Sequence, residues 1–280
     1  MALTLAATPL GNPLDASPRL KAAIENAEII AAEDSRRFHR LASDLGVTFT
    51  ARIISFFEGN ETDRTQEILQ LLRDGKEVLV VTDAGMPTIS DPGFRLMRDA
   101  IAEGIEVSVI PGPSAVTMSV ALSGLPTDRF SFEGFPPRTA GARLATFEKL
   151  RFEERTMVFF EAPHRLSDSL KDAVNVFGAD RLGAICREMT KRYEETIRGN
   201  LGELSEWADA NEILGEITLV IAGAVTDSAS LTAADMVGRV REFEAAGMDR
   251  KSAIATVADE FGIAKRLVYA AVVDANKMSQ

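Results

Sequence analysis

A chain of 280 residues, 46% of them hydrophobic, is long enough to bury one large core or two modest ones beside an appendage. No apolar run approaches the ~20 residues of a membrane span, and the amino terminus lacks the basic start and apolar core of a signal peptide, so a cytoplasmic protein is expected. The formal net charge of −11 argues against a generally basic, nucleic-acid-binding surface, and a single cysteine, Cys186, excludes an internal disulfide.

Apolar runs near residues 2–7, 28–32, 52–56, 77–82 and 106–110 alternate with helical patterns near 17–26, 36–46, 61–74 and 90–103. That alternation predicts βαβ units around a mainly parallel sheet. Val78 to Val81 is continuously apolar, as in a strand buried on both faces, so Asp83 falls at its carboxyl end, where open α/β sheets bind ligands. Thr82 to Gly93 then forms a loop in which Gly85 permits close backbone approach, Pro87 and Pro92 add stiffness, and Ser90 or Asp91 is the expected cap of the next helix. Thr8 to Pro13 and Pro111 to Ala115 are Gly/Pro loops after two further strands.

Residues 113–123 read as a helix leading out of this unit. Strands near 129–134, 156–161, 181–187, 195–200 and 216–222, with helices near 140–150, 164–177 and 201–210, predict a second sheet. A boundary near residue 120 follows, and the cleft between the units is the natural ligand site. Cys186 falls in an apparent strand and reads as core. Arg138 and Arg143 flank Thr139 to Ala142, a stretch expected to be a mobile loop that closes over substrate.

Beyond Gly223, Leu231 to Ala246 and Ser252 to Phe261 have helical apolar spacing, Gly262 breaks the pattern, and Lys265 to Tyr269 resembles the second helix of a helix-turn-helix. Seven basic residues face eight acidic ones from 226 to 280, so this appendage is not basic overall. No two of the 20 glycines are two residues apart, which removes G-x-G-x-x-G, and no Walker loop is present. With only His39 and His164 and no C-x-x-C spacing, no metal centre is expected, although carboxylates alone could hold magnesium.

The motifs Ala7 to Asn12, Ala31 to Arg36, Thr82 to Gly93, Pro111 to Ala115, Gly124 to Phe130, Glu133 to Pro136, Glu161 to Arg165 and Arg187 to Lys191 stand in a fixed order over about the first 225 residues. Together they resemble the tetrapyrrole methylase-like (class III) S-adenosylmethionine-dependent methyltransferases, and within them the bacterial 16S ribosomal RNA ribose methyltransferases. The resemblance implies two α/β domains, taken as residues 1–118 and 119–225, with the S-adenosyl-L-methionine cleft between them, and the helical spacing beyond them adds a helix-turn-helix-like appendage over 226–280. It implies 2′-O-methylation of a cytidine in the decoding region of 16S rRNA, within the small ribosomal subunit, by a homodimer. A small-molecule tetrapyrrole C-methyltransferase and a non-catalytic nucleotide-binding regulator that reads DNA are the alternatives.

The resemblance further implies that Leu10, Asp83, Met86, Ser114 and Ala115 lie against the cofactor, and Gly85 is placed with them. A ribose hydroxyl is a poor nucleophile, so an acceptor for its proton is expected. Glu161, at the end of the apolar run Met157 to Phe160, is the first candidate and Glu188 the second, with Lys191 grouped beside them. Arg36, Arg37, Arg138, His164, Arg165, Arg187, Lys265 and Arg266 are expected to meet RNA phosphates and riboses. Structural alternatives stand beside several of these: Glu161 as a helix cap, Ser35 capping the helix after Asp34, His164 as a turn residue, and Arg187 with Glu188 as an ordinary interdomain ion pair.

Overall fold

The computed structural model describes residues 2–224, 232–261 and 263–278. The expected helix start at Leu231 and break at Gly262 lie outside the described residues. The first sheet contains β1 (Ala2–Ala6), β2 (Ile29–Ala32), β3 (Arg52–Ser55), β4 (Val78–Val81) and β5 (Glu106–Ile110), all parallel, in the order β3-β2-β4-β1-β5. Every residue of β2 and β4 is buried because helices cover both faces. On one face, α3 (Glu61–Arg73) and α4 (Phe94–Ala102) bring Ile68, Leu72 and Leu96 onto Leu3, Leu5 and Val80. On the other, α1 (Pro18–Asn26) and α2 (Ser35–Asp44) bring Leu20, Ile24 and Phe38 onto Ile30, Leu79 and Val81.

The chain leaving β1 crosses β4 to reach β2, and the chain leaving β4 crosses β1 to reach β5. Two neighbouring strands whose connections diverge leave a crevice at their carboxyl ends. There Thr8 and Gly85 exchange backbone hydrogen bonds of 2.9 and 3.1 Å, tying the two loops together.

The second sheet contains β6 (Phe130–Gly134), β7 (Thr156–Glu161), β8 (Leu182–Arg187), β9 (Glu195–Asn200) and β10 (Ile217–Ile221), in the order β6-β7-β10-β8-β9. Only β6 and β7 are parallel; the other neighbours are antiparallel. The helices α6 (Ala140–Lys149), α7 (Leu166–Phe177) and α8 (Leu201–Ala210) pack on one face around Phe147, Leu170 and Leu204. The helix α5 (Ala115–Ser123), across which the expected 118/119 division runs, sets Val116 and Val120 against Val158 and Val220 on the other face. Cys186 is fully buried in this sheet, as its sequence surroundings suggested.

Three helices, α9 (Ala233–Ala245), α10 (Arg250–Glu260) and α11 (Lys265–Met278), form a small bundle around Val240, Val257, Phe261 and Val268. Phe152, from the α6–β7 connection, meets Phe261 edge-on at 5.1 Å, and Arg239 lies 5.8 Å over Phe152, which seats the bundle on the second unit.

Three local expectations need correction. The helix expected from residue 90 starts at Phe94, because Thr88 and Ser90 take left-handed φ values of 78° and 62° and Gly93 has φ 122°. Its free amides are met not by Ser90 or Asp91 but by Glu61 Oε1, which accepts from Gly93 N at 3.0 Å and Arg95 N at 3.3 Å. At α2 the cap is Asp34, which accepts from the amides of Arg36 and Arg37, not Ser35. Residues 140–142 are the first turn of α6 rather than a mobile loop, and Arg143 is buried with Nη2 2.6 Å from Asp172 Oδ2, an ion pair that pins the helix to α7.

Candidate active site

The crevice at the ends of β1 and β4 opens into a cavity of about 400 Å³ walled by both sheets. Leu10, Asp83, Gly85, Met86, Ser114 and Ala115, the six residues expected at the cofactor, all line it. They come from the three Gly/Pro loops. Gly85 has φ 81°, and a Cβ there would stand 3.2 Å from Leu10 Cδ2, so both its conformation and its closeness to Leu10 select glycine. A Cβ on Gly112 would approach Ala7 Cβ to 2.9 Å, so the third loop lies directly on the first.

Besides Glu161, four carboxylate residues line this space: Glu33, Asp83, Asp91 and Glu216. Asp83 N donates to Glu33 Oε2 at 3.1 Å, Asp34 N donates to Asp83 Oδ1 at 3.2 Å, and Arg37 Nη1 pairs with Asp83 Oδ2 at 3.1 Å. Burial raises the pKa of Glu33 and of Asp83 despite the amide bond and the nearby guanidinium. Burial and then the negative charge of Glu33 push Asp91 up to about 7. A partly dry pocket ringed by carboxylates attracts a cation.

The opposite wall is built by Phe135, Phe160, Glu161, Ala162, Met189 and the start of β10. Glu161 closes β7 with a fully buried side chain. Its Oε1 accepts from Ala162 N and from Arg165 Nε, each at 2.7 Å, and Oε2 accepts from Ser169 Oγ at 2.5 Å. Arg165 also donates through Nη2 to Pro136 O at 3.0 Å. The guanidinium is therefore fixed between the β6 and β7 ends.

Glu188 and Lys191 do not line the cavity but lock its mouth. Lys191 Nζ stands 2.9 Å from Glu188 Oε1 and 3.1 Å from Glu216 Oε2. Its stem crosses Gly11, where a Cβ would collide at 2.3 Å, and Asn12 N donates to Thr190 Oγ1 at 3.2 Å. Glu188 and Thr190 hold left-handed φ values of 50° and 68°, backbone strain of the kind found at functional loops. Burial disfavours the ammonium of Lys191, but its bond to Glu188 and the charge of Glu216 outweigh that and raise its pKa, so Lys191 works as a cation.

The expected RNA-facing residues are dispersed. Arg37 points into the cavity beside Asp83, while Arg36 is exposed and held by Asp34 at 2.9 Å. Arg138 and His164 are exposed beyond the ends of β6 and β7. Arg187 pairs with Glu195 at 2.6 Å rather than with Glu188. Lys265 and Arg266 are exposed on the first turn of α11, on the separate bundle.

Residues 2–205, most of the two-sheet region, match a family model described as Tetrapyrrole (Corrin/Porphyrin) Methylases. The chain belongs to the tetrapyrrole methylase family. Among the family's curated relatives, a protein of Mycobacterium tuberculosis (strain H37Rv) named ribosomal RNA small subunit methyltransferase I is 47% identical over 276 residues, 98% of this chain and 95% of that one. A protein of the same name from Thermotoga maritima is 43% identical over 221 residues, 98% of its own length and 79% of this chain, so about a fifth of this chain has no counterpart there. Among solved structures, uroporphyrin-III C-methyl transferase from Thermus thermophilus, complexed with S-adenyl homocysteine, shares the fold with TM-score 0.54 and 17% identity over 79% of this chain and 96% of its own.

Within this tetrapyrrole methylase fold, sequence reasoning missed Glu33, Asp91, Glu216, Phe135 and Phe160 as cavity residues. The motifs Ala31 to Arg36, Thr82 to Gly93 and Glu133 to Pro136 contain three of them, so the signal was present for Glu33, Asp91 and Phe135. Glu216 and Phe160 carried none.

Proposed function

We propose that this chain transfers the methyl group of S-adenosylmethionine to the 2′-hydroxyl of a cytidine in the decoding region of 16S ribosomal RNA, acting on the small ribosomal subunit. The observation that carries the reading is the convergence of Leu10, Asp83, Gly85, Met86, Ser114 and Ala115 on one acid-ringed cavity, in a chain whose relatives are named ribosomal RNA small subunit methyltransferase I. Those names favour ribosomal RNA over a small tetrapyrrole and over a DNA-reading regulator.

The residues present suit S-adenosylmethionine. Its ammonium and sulfonium are cationic, which four surrounding carboxylates favour; Arg37 suits its carboxylate; Leu10, Met86, Phe160 and Ile217 offer apolar cover. When bound, it supplies an electrophilic methyl on a positively charged sulfur. The chain then has to orient the ribose oxygen in line with that methyl and exclude water.

Of the three residues grouped as catalytic, Glu161 alone lines the cavity. We read its carboxylate as the acceptor for the ribose proton and as the anchor of Arg165. Glu188 and Lys191 act at one remove, by holding Glu216 and the Leu10 to Asn12 loop across the mouth. Arg36, Arg138, His164, Arg165 and Arg187 are read as contacts to the RNA around the target, and Lys265 and Arg266 as contacts farther along it. The working unit is read as a cytoplasmic homodimer, on family resemblance, and no helix among the described residues is long and apolar enough to cross a membrane.

The deciding experiment incubates the protein with tritiated S-adenosylmethionine and small subunits from cells lacking it, followed by nucleoside analysis. Label in 2′-O-methylcytidine is expected. Label on a base carbon or nitrogen overturns the ribose assignment.

A further inference from the structure

Phe135 is an exposed aromatic residue on the wall of the cavity to which the roles assigned above give no task. It follows Gly134, whose φ of 69° turns the chain out of β6, and it precedes Pro136 and Pro137. The residue is 55% exposed although it lines the cavity. Its ring leans edge-on against Phe160 at 5.6 Å, and Phe160 in turn meets Phe132 at 4.8 Å. The ring is therefore backed by an aromatic stack and bare in front. From the first sheet, Ile89 lines the same cavity and is 41% exposed, set between the left-handed residues Thr88 and Ser90.

The surroundings of Phe135 indicate what covers it. The carbonyl of Pro136, the next residue, accepts from Arg165, whose guanidinium is tied to Glu161 inside the cavity. Arg138, three residues on, and His164 are both exposed. A flat apolar ring with a fixed guanidinium nearby and an exposed arginine three residues on matches a nucleotide, whose base stacks while its phosphates meet the cations. A base stacked and paired within a helix offers no free face to an aromatic side chain, so stacking on Phe135 requires the target nucleotide to be splayed out.

We propose that Phe135 is the platform on which the nucleobase of the target nucleotide stacks, with Ile89 closing over its other face and Arg165 holding the adjoining backbone. This rests on the ribosomal RNA reading above. It makes Phe135 a substrate-positioning residue: it holds the base, and thereby aims the ribose, without touching the reacting oxygen.

The test compares wild type, Phe135→Ala and Phe135→Trp in steady-state methylation of small subunits, in cofactor titration by calorimetry, and in sedimentation. Loss of one base-stacking contact is expected to raise the KM for subunits roughly 5- to 150-fold in Phe135→Ala, with kcat changed far less and cofactor affinity within about twofold. Phe135→Trp is expected to restore KM, since any large aromatic face stacks a base. A fall in cofactor affinity with KM for subunits unchanged means that the ring covers the cofactor instead, and overturns the proposal. So does a change in sedimentation that accounts for the lost activity, because the ring is then a subunit contact, and so does an alanine variant with wild-type KM. Wild-type enzyme that puts no label into ribosomal RNA overturns the underlying reading; labelled RNA with an unaffected Phe135→Ala variant overturns the platform alone.

Discussion

The amide of Asp83 donates to Glu33 Oε2, and the carboxylate of Asp83 in turn accepts from the amide next to Glu33, so the two loops that follow β2 and β4 are sewn together at the cavity wall. Asp83 therefore has two tasks, shaping the loop pair and facing the cofactor. Asp83→Ala removes one charge-assisted acceptor, worth about 1.5–3 kcal/mol or roughly 10- to 150-fold in cofactor affinity. Calorimetry is the check, and unchanged affinity removes Asp83 from the cofactor contacts. A melting curve run in parallel reports how much of the loss is loop disorder.

Asp91 gives a pH dependence with a defined sign. Its ordinary value of 3.8 applies in the unfolded chain, and in the folded chain it titrates near 7, with Glu33, Asp83 and Glu216 facing it, and Arg37 pairing with Asp83. The folded state thus holds an extra proton between these limits, so this group's contribution to stability is complete below about 4 and declines as pH rises through 7. A cationic ligand has the opposite preference and favours the ionised carboxylate. S-adenosylmethionine affinity is therefore expected to climb by up to tenfold per pH unit below 7 and to level off above it. S-adenosylhomocysteine, lacking the sulfonium charge, is expected to show a shallower slope, and Asp91→Asn to flatten both. Equal affinity for S-adenosylmethionine at pH 6 and pH 8 would rule the coupling out.

Much of the scaffold was legible because buried parallel strands are written as unbroken apolar runs: Ile29–Ala32 and Val78–Val81 could be little else. The loops after β1, β4 and β5 announced themselves through Gly85, Gly112 and their prolines, whereas the residues expected at the cofactor were named from the family resemblance, and they line the cavity those loops form. What stayed hidden depends on partners remote in sequence. Glu61, 32 residues before Gly93, caps α4, so Ser90 and Asp91 were free to turn toward the cavity. Arg143 looks like a surface residue until Asp172 is brought beside it. Glu216 joins Glu33, Asp83 and Asp91 only when two sheets meet, and no local pattern in the sequence encodes that meeting.

The carboxyl-terminal bundle offers Lys265 and Arg266 on an exposed turn flanked by Leu267 and Tyr269, 50% and 60% exposed. If these cations meet RNA phosphates, replacing both by alanine weakens subunit binding and lowers the slope of log affinity against log salt by about one to two units. Cofactor affinity should be untouched, since neither residue lines the cavity. Filter binding at 50 and 200 mM salt measures the slope. An unaltered slope assigns the bundle a packing role through Phe152 and Phe261 instead.

Glu161 and Arg165 separate chemistry from binding. Glu161 already accepts from Ala162 N, Arg165 and Ser169, which fixes its orientation. Glu161→Gln keeps the shape and removes the acceptor charge, so single-turnover methylation is expected to slow by something near 10², the lower end of the range for general-base loss, with cofactor affinity little changed. Arg165→Ala is expected to act in the ground state, weakening subunit binding and flattening its salt dependence by about one unit while the rate at saturation falls less. Should Glu161→Gln lower subunit affinity as much as Arg165→Ala while leaving the single-turnover rate at saturation intact, its carboxylate serves only to position the arginine, and the proton leaves the ribose by another route.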